Sequence, residues 1–397
     1  MRNDLDFAAD VIVVGGGVCG LAAARALARR GLGVALLERG RVGAEASWAA
    51  AGMLAPQAEA DRRDEFFELL CAGRELYPPF ADALREETGI DIELDRTGTL
   101  YLALTERDER EVLRRYEWQS GAGLAVERLT AEEARAFEPA VSEAVRVALR
   151  FPTDWQVENR RLVAALAASC EAYGAELLTG CEVTSVLVEH GRVRGVETSR
   201  GRLDAGAVVL AAGAWSSLIR LKHFEEHARG DERATCPTVE PVRGQMLCFD
   251  ARPPVVRHVV YSPRGYVVPR RDGRLLAGST TERAGYDKSV TGEGLRAIAA
   301  CAEEIAPAVG RLALVDSWSG LRPRAADDWP VLGAAEEIDN LYFATGHYRN
   351  GILLAPLTGE IVAARVAGGA SPLDPRALEA FAPGRFRRVA AAGTDAR

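Results

Sequence analysis

Three stretches of this chain have residue types and spacings that could do chemistry. The first is Gly15-Gly16-Gly17-Val18-Cys19-Gly20, directly after the apolar run Val11-Ile12-Val13-Val14. Glycines placed after a strand buried on both faces allow a tight turn, close approach of backbone to a pyrophosphate, and close strand–helix contact. The helix expected from about Val18 to Arg30 turns its free N–H groups and positive dipole end toward the phosphates. Ala22, Ala23, Ala24, Ala26 and Ala28 suit tight packing on a sheet, and Gly31 ends the helix. Val34 to Leu37 is the next strand, and Glu38, followed by Arg39, closes it. A carboxylate there accepts hydrogen bonds from a ribose diol and favours a nucleotide without a 2′-phosphate. The glycines alone would fit a turn in any strand–helix–strand unit, but strand, helix and acid together favour the nucleotide.

The second stretch is Val208-Val209-Leu210-Ala211-Ala212-Gly213-Ala214-Trp215, and the third is Ala344-Thr345-Gly346-His347-Tyr348-Arg349-Asn350-Gly351-Ile352. A glycine fingerprint says only that a dinucleotide binds; the other two signals, in this order, point to FAD. No Ser/His/Asp or paired-carboxylate arrangement is evident. His223 and His227 are four apart, but not in the H-E-x-x-H order and among charged residues, so they read as a solvated segment and no metal is expected. The seven cysteines (Cys19, Cys71, Cys170, Cys181, Cys236, Cys248, Cys301) are odd in number and scattered, which fits reduced thiols. Cys19 reads as a small packing residue.

The elements that must position these groups fit within 397 residues, enough for two or three domains. A net charge of -8 without a long basic run argues against a nucleic-acid partner. No apolar run approaches the roughly 20 residues needed to span a bilayer, and the start of the chain reads as a strand rather than a signal peptide. A cytoplasmic protein with no membrane partner is expected. Helical periodicity runs from Asp64 to Glu87, with Phe66, Leu69, Leu70, Leu76 and Leu84 inward. Further helices are expected over Glu106 to Gly121, over Thr130 to Ala136 with a capping box, over Asn159 to Tyr173, over Gly294 to Ile305 and from Asn350 to Ala367. Thr99 to Leu104 reads as a strand, Ala175 to Leu178 as a short buried one, and Cys181–Glu189 with Arg192–Thr198 as a hairpin through His190-Gly191. Ala207 to Ala212 and Leu341 to Thr345 are further strands. Short strand candidates at 245–249, 258–261, 265–269 and 274–278, followed by Ala313 to Gly320, suggest an antiparallel sheet. The fold class is therefore α/β (α+β overall), a Rossmann-like FAD-binding domain (1–57, 150–235, 320–397) interleaved with a substrate domain on a mainly antiparallel sheet with helices (58–149, 236–319). Residues Ala390 to Arg397 read as a disordered tail.

Four stretches, in order, make the chain resemble the D-amino-acid oxidase superfamily of flavoproteins, and within it the glycine-oxidase branch associated with thiazole formation in thiamine biosynthesis. They are Ser47-Trp48-Ala49-Ala50-Ala51-Gly52-Met53-Leu54-Ala55-Pro56, Gly265-Tyr266-Val267-Val268-Pro269-Arg270, Ser319-Gly320-Leu321-Arg322-Pro323, and Gly346 to Pro356. The resemblance implies non-covalent FAD, since no cysteine follows Cys301. It places Gly15, Gly17, Val18, Cys19, Gly20, Glu38 and Arg39 along the nucleotide, Ala46 and Ser47 near the phosphates, and Ala51, Gly52 and Met53 beside the flavin. Val183 would offer its backbone to the adenine, and Gly213 would follow the second signal. Gly346, His347, Tyr348, Arg349, Asn350, Gly351, Ile352 and Leu353 would cap the pyrimidine end, where a helix N-terminus stabilises charge on the reduced ring.

The resemblance also implies that Arg322 grips a substrate carboxylate through its guanidinium fork. Alone, that arginine would read as a structural ion pair and Tyr266 as a core residue. By resemblance Tyr266 adds a second hydrogen bond, and Arg349 closes the site with positive charge. Arg264 would stand beside the pocket, either steering carboxylates or facing solvent, and Thr281 would line it. The implied reaction is oxidative deamination of a small amino acid: hydride leaves Cα for the flavin, an imine forms, and molecular oxygen takes the electrons as hydrogen peroxide. Alternatives within the same reading are oxidation of sarcosine, D-proline or a larger D-amino acid, a quinone-linked dehydrogenase, and a flavin-binding module without turnover. Tetrameric members of the family imply a homo-oligomer, although no segment announces an interface.

Overall fold

The computed structural model describes residues 9–224 and 237–386. His227, Cys236 and the tail from Ala390 lie outside the described residues, so the paired-histidine reading has no structural counterpart. Among the described residues the strands form a nine-stranded sheet, an eight-stranded sheet and a two-stranded pair. The α/β class is borne out.

The larger sheet is parallel at its centre. Ala9–Val14 lies between Val34–Glu38 and Gly201–Leu210, with Glu176–Thr179 outside the former and Leu341–Thr345 outside the latter. These strands are rich in Val, Leu and Ala because helices or further strands cover both faces. The helix Val18–Ala28 is buried along its whole length. It packs against the last long helix, Gly351–Ala367, so closely that a Cβ on Gly359 would lie 2.5 Å from the Ala22 carbonyl oxygen. The hairpin Val183–Glu189 and Arg192–Thr198 turns at His190 (φ 50°) and Gly191 (φ 71°), the left-handed pair that a two-residue type I′ turn requires.

The second sheet runs Ala313–Ala325, Val239–Asp250, Arg274–Gly278, Gly265–Pro269, Val259–Ser262, Thr99–Ala103, Val147–Phe151, Glu127–Thr130. Every neighbouring pair is antiparallel except Val259–Ser262 with Thr99–Ala103. One side of it is packed by the helix Gly292–Ile305, whose Ile298, Ala302 and Ile305 are buried.

Three expectations need correction. The helix expected from Asp64 to Glu87 is two, Glu65–Glu75 and Tyr77–Thr88, because Pro78 and Pro79 fit only the first turn of a helix. The strand at 176–179 is an exposed edge rather than buried, with Glu176 and Thr179 open to solvent. The strand expected to stop at Gly320 continues to Ala325, pairing with Val239–Asp250 throughout.

Candidate active site

A cavity of about 610 Å³ lies at the carboxyl ends of the parallel strands and extends under the second sheet, the crevice where open α/β sheets bind ligands. Two helix N-termini open into it. The helix Val18–Ala28 has Gly17 as its N-cap and Gly351–Ala367 has Asn350, and neither makes a side-chain cap. At the first, Ser47 Oγ accepts from the Val18 N–H at 2.9 Å. Gly15 has φ +108°, and a Cβ there would sit 2.5 Å from the Ala211 carbonyl oxygen, so only glycine lets these two strand ends approach. Glu38 accepts from the Gly16 N–H and the Gly40 N–H, both at 2.8 Å, which fixes its carboxylate at the cavity wall. Arg39 stacks over the Trp215 ring at 3.8 Å, and both line the cavity. Uncapped N–H groups at two points and a fixed acid between strands fit a pyrophosphate, a charged ring edge and a ribose diol, which are the parts of FAD.

The segment from Ala46 to Met53 forms one wall. Its shape is held by residues to which the sequence alone assigns no role. Arg270 is buried and donates to the Ala51 carbonyl (2.8 Å), the Val157 carbonyl (2.9 Å), Asn159 Oδ1 (3.0 Å) and Gln156 Oε1 (3.2 Å). Burial pushes its pKa down to about 10. Asn159 Nδ2 donates to the Ser47 and Trp48 carbonyls, and Trp318 Nε1 to the Ala49 carbonyl. Arg270 closes one of the four resemblance stretches, and that position was its only signal.

At the far end stand Arg322, Tyr266, Met246, Arg349 and Glu59. Arg322 Nη2 donates to Ser279 Oγ at 2.7 Å and Nη1 to the Thr280 carbonyl at 3.1 Å. Of its five N–H donors, two are thus spent on orientation and three are left for a ligand. Burial pulls its pKa below the usual arginine range. Tyr266 is buried, its hydroxyl 3.5 Å from Met246 Sδ. Arg349 does not stand free. Its Nε and Nη2 donate to Glu59 Oε2 and Oε1 at 3.1 and 3.3 Å, and Tyr261 Oη lies 3.2 Å from the same Oε1. Burial pushes the Glu59 carboxyl up, but Arg349 and the Tyr261 hydroxyl together hold it below the usual carboxylate range. Glu59 in turn raises Arg349 above the usual arginine value. Glu59 was missed in the sequence because it lies in a four-residue helix, Pro56–Glu59, with no motif around it.

The cavity thus brings together Gly15, Gly17, Val18, Cys19, Glu38, Arg39, Ala46, Ser47, Ala51, Gly52, Met53, Val183, Gly213, His347, Tyr348, Asn350, Gly351 and Ile352 with the three proposed substrate residues. Gly20, Gly346 and Leu353 do not line it. Gly20 serves packing, since a Cβ there would lie 2.0 Å from the Gly15 carbonyl oxygen. The His347 ring turns away into the core, with Nε2 3.0 Å from Thr358 Oγ1, and burial pushes its pKa down to about 4. Burial raises the Cys19 thiol to about 12. Arg264 does not line the cavity; it lies exposed to solvent, one of its two expected settings, and pairs with Asp108 (3.0 Å) and Glu304 (2.6 Å). Thr281 is exposed; its neighbour Thr280 contacts Arg322 instead. Among the described residues no cluster of acids, cysteines and histidines could hold a metal, and no helix is long and apolar enough to cross a membrane.

Comparison with known proteins adds to this geometry. The family model described as FAD dependent oxidoreductase matches residues 10–365. A glycine oxidase from Geobacillus kaustophilus is 38% identical over 357 residues, covering 89% of this chain and 92% of the relative. The crystal structure of glycine oxidase from the same organism superposes with a TM-score of 0.87 at 37% identity, over 95% of this chain and 99% of that one. A bifunctional protein ThiO/ThiG from Synechocystis is 34% identical over 95% of this chain, which spans 54% of that longer protein.

Proposed function

The chain belongs to the FAD dependent oxidoreductase family, and on that footing we propose that it is a glycine oxidase. It converts glycine and oxygen to the imine and hydrogen peroxide, and hydrolysis of the imine gives glyoxylate and ammonia. FAD is its cofactor, and when bound it supplies the acceptor for the substrate's hydride and passes the electrons to oxygen. The observation that carries the reading is Arg322, a half-buried guanidinium fixed by Ser279 and Thr280 at the end of a cavity whose other end suits a dinucleotide.

Arg322 and Tyr266 anchor the carboxylate, which fixes the neighbouring carbon and lets it be held against the cofactor. Positioning of this kind needs no dedicated base. Ala49, Ala51 and Gly52 keep the wall thin beside the reacting carbon. Glu38 would hold the ribose, the first helix N-terminus and Ser47 the pyrophosphate, and the turn His347 to Ile352 the far ring edge. The likeness to ThiO/ThiG supports a place in thiamine biosynthesis, where the imine would be drawn into thiazole formation. The reading includes a cytoplasmic setting, supported by the free thiols Cys19, Cys71, Cys170, Cys181, Cys248 and Cys301.

Anaerobic titration of the yellow holoprotein with glycine is the test. Glycine should bleach the flavin band, and air should restore it with release of peroxide. Arg322→Ala should raise the apparent glycine constant by roughly two decades, the worth of a charge-assisted pair of hydrogen bonds. Unchanged kinetics in that variant would remove Arg322 from its role, and no bleaching by any small amino acid would remove the activity.

A further inference from the structure

We propose that Glu59 sets the substrate class at this end of the cavity: by neutralising Arg349 it leaves Arg322 as the cation open there to an acid group, and so selects amines with a single carboxylate over those with two. The proposal rests on the amine-oxidase reading of the same site.

Two arginines, Arg322 and Arg349, line one end of one cavity. Such a pair would suit an amine bearing two carboxylates, one on each guanidinium. The structure occupies the second guanidinium internally. Glu59 meets Arg349 through both of its oxygens, at 3.1 and 3.3 Å, and Tyr261 clamps Oε1 from the second sheet at 3.2 Å. The three groups come from a short helix, a turn before the last helix and a sheet strand, so the pair is set by the fold. Its backbone is held too: Asp154, buried, accepts from the N–H groups of Gln57 and Ala58 in the turn that carries Glu59. A second carboxylate entering here would have to displace Glu59 from Arg349 or sit beside it as a like charge, and either is costly. A substrate with one carboxylate meets Arg322 and leaves the pair untouched.

The holoprotein is titrated with acetate and with malonate, one acid group against two and no amine on either, following the flavin absorbance. The ratio kcat/KM for D-aspartate over glycine is measured by peroxide release. In Glu59→Gln, malonate affinity relative to acetate should rise by about tenfold or more, one freed charged pair at the tenfold-per-1.4 kcal/mol scale. The D-aspartate ratio should move the same way. Arg349→Met, which leaves Glu59 as an unpaired negative charge, should shift both ratios the opposite way, and it decides the matter should Glu59→Gln fail to hold FAD. The double variant should lose the malonate gain. Ratios within about twofold of wild type in both single variants, below what a charge contact is worth, would overturn the proposal. If glycine fails to bleach the wild type while the malonate ratio still shifts, the oxidase reading falls and the charge selection stands. If glycine bleaches the wild type and the ratios stay unshifted, the charge selection falls and the oxidase reading stands.

Discussion

The grip of Arg322 depends on a residue with no side chain. Its guanidinium lies flat over Gly244 on the neighbouring strand: a Cβ built there would sit 2.2 Å from Nη1 and 2.4 Å from Cζ and Nη2. Gly244 is inside the strand Val239–Asp250, paired with Gly320, and its φ is not positive, so alanine is compatible with the backbone. Gly244→Ala should therefore fold normally and act on the guanidinium alone. To restore ordinary contact the guanidinium must retreat by roughly 1 Å, a misplacement large enough to cost on the order of 100-fold in a positioned reaction. It must also give up its bonds to Ser279 Oγ and the Thr280 carbonyl or its fork geometry toward the substrate. A charge-assisted interaction is worth about 1.5–3 kcal/mol, so acetate affinity and kcat/KM for glycine should fall by about 10- to 100-fold. The FAD content and melting temperature should stay near wild type. Spectral titration with acetate measures binding without turnover, and peroxide release measures the reaction. Acetate affinity and kcat/KM both within about twofold of wild type would falsify the assignment of Gly244 as the platform for Arg322, since that is less than half a kcal/mol.

Two further outcomes follow from buried polar groups. His347 is neutral in the fold, with a pKa of about 4 against an ordinary 6.5. Its contribution to stability is complete above pH 6.5 and is lost as pH falls toward 4, because the unfolded chain then binds a proton that the folded chain refuses. Between pH 7 and 5 this amounts to about 2 kcal/mol, so His347→Gln should flatten the pH dependence of urea unfolding over that interval; an equal slope in both proteins would refute it. Arg270→Met leaves the Ala51 and Val157 carbonyls, Gln156 and Asn159 without their donor. Breaking such a buried network costs about 3–5 kcal/mol. The variant should melt earlier and lose flavin on gel filtration; an unchanged melting temperature and flavin-to-protein ratio would count against it.

The nucleotide half was legible because its chemistry is local. Gly15, Gly17, Glu38 and the helix after Val18 lie within 24 residues of one another and carry their own strand and helix signals. The His190-Gly191 hairpin and the Thr130 capping box were legible for the same reason, a few residues deciding a backbone conformation. Arg322, Tyr266 and Arg349 were not legible as chemistry from spacing. Each became a candidate only through resemblance, because what brings them together is the meeting of two strands of the second sheet with the turn before the last helix, all far apart in sequence. The helix break at Leu76 was written in Tyr77-Pro78-Pro79, and apolar periodicity on both sides masked it.

Side-chain direction, which position along the chain does not give, decides what meets the cavity. Thr281 turns out to solvent, Arg264 lies exposed against Asp108 and Glu304, and His347 lines the cavity although its ring meets Thr358 in the core. Thr281 is exposed, whereas the Thr280 backbone carbonyl and the Ser279 hydroxyl, one and two positions before it, hold Arg322. Arg264 is drawn off by acids at 108 and 304, each about 40 residues or more away in sequence. The same reasoning explains why Glu59 could not be found. An acid with no motif becomes informative only when Arg349, nearly three hundred residues later, is seen to be its partner. An arginine in a substrate cavity therefore cannot be counted as a ligand for substrate until the acids that reach it from other elements have been identified. Arg322 meets that condition here, with a hydroxyl and a carbonyl as its named partners, and Arg349 does not.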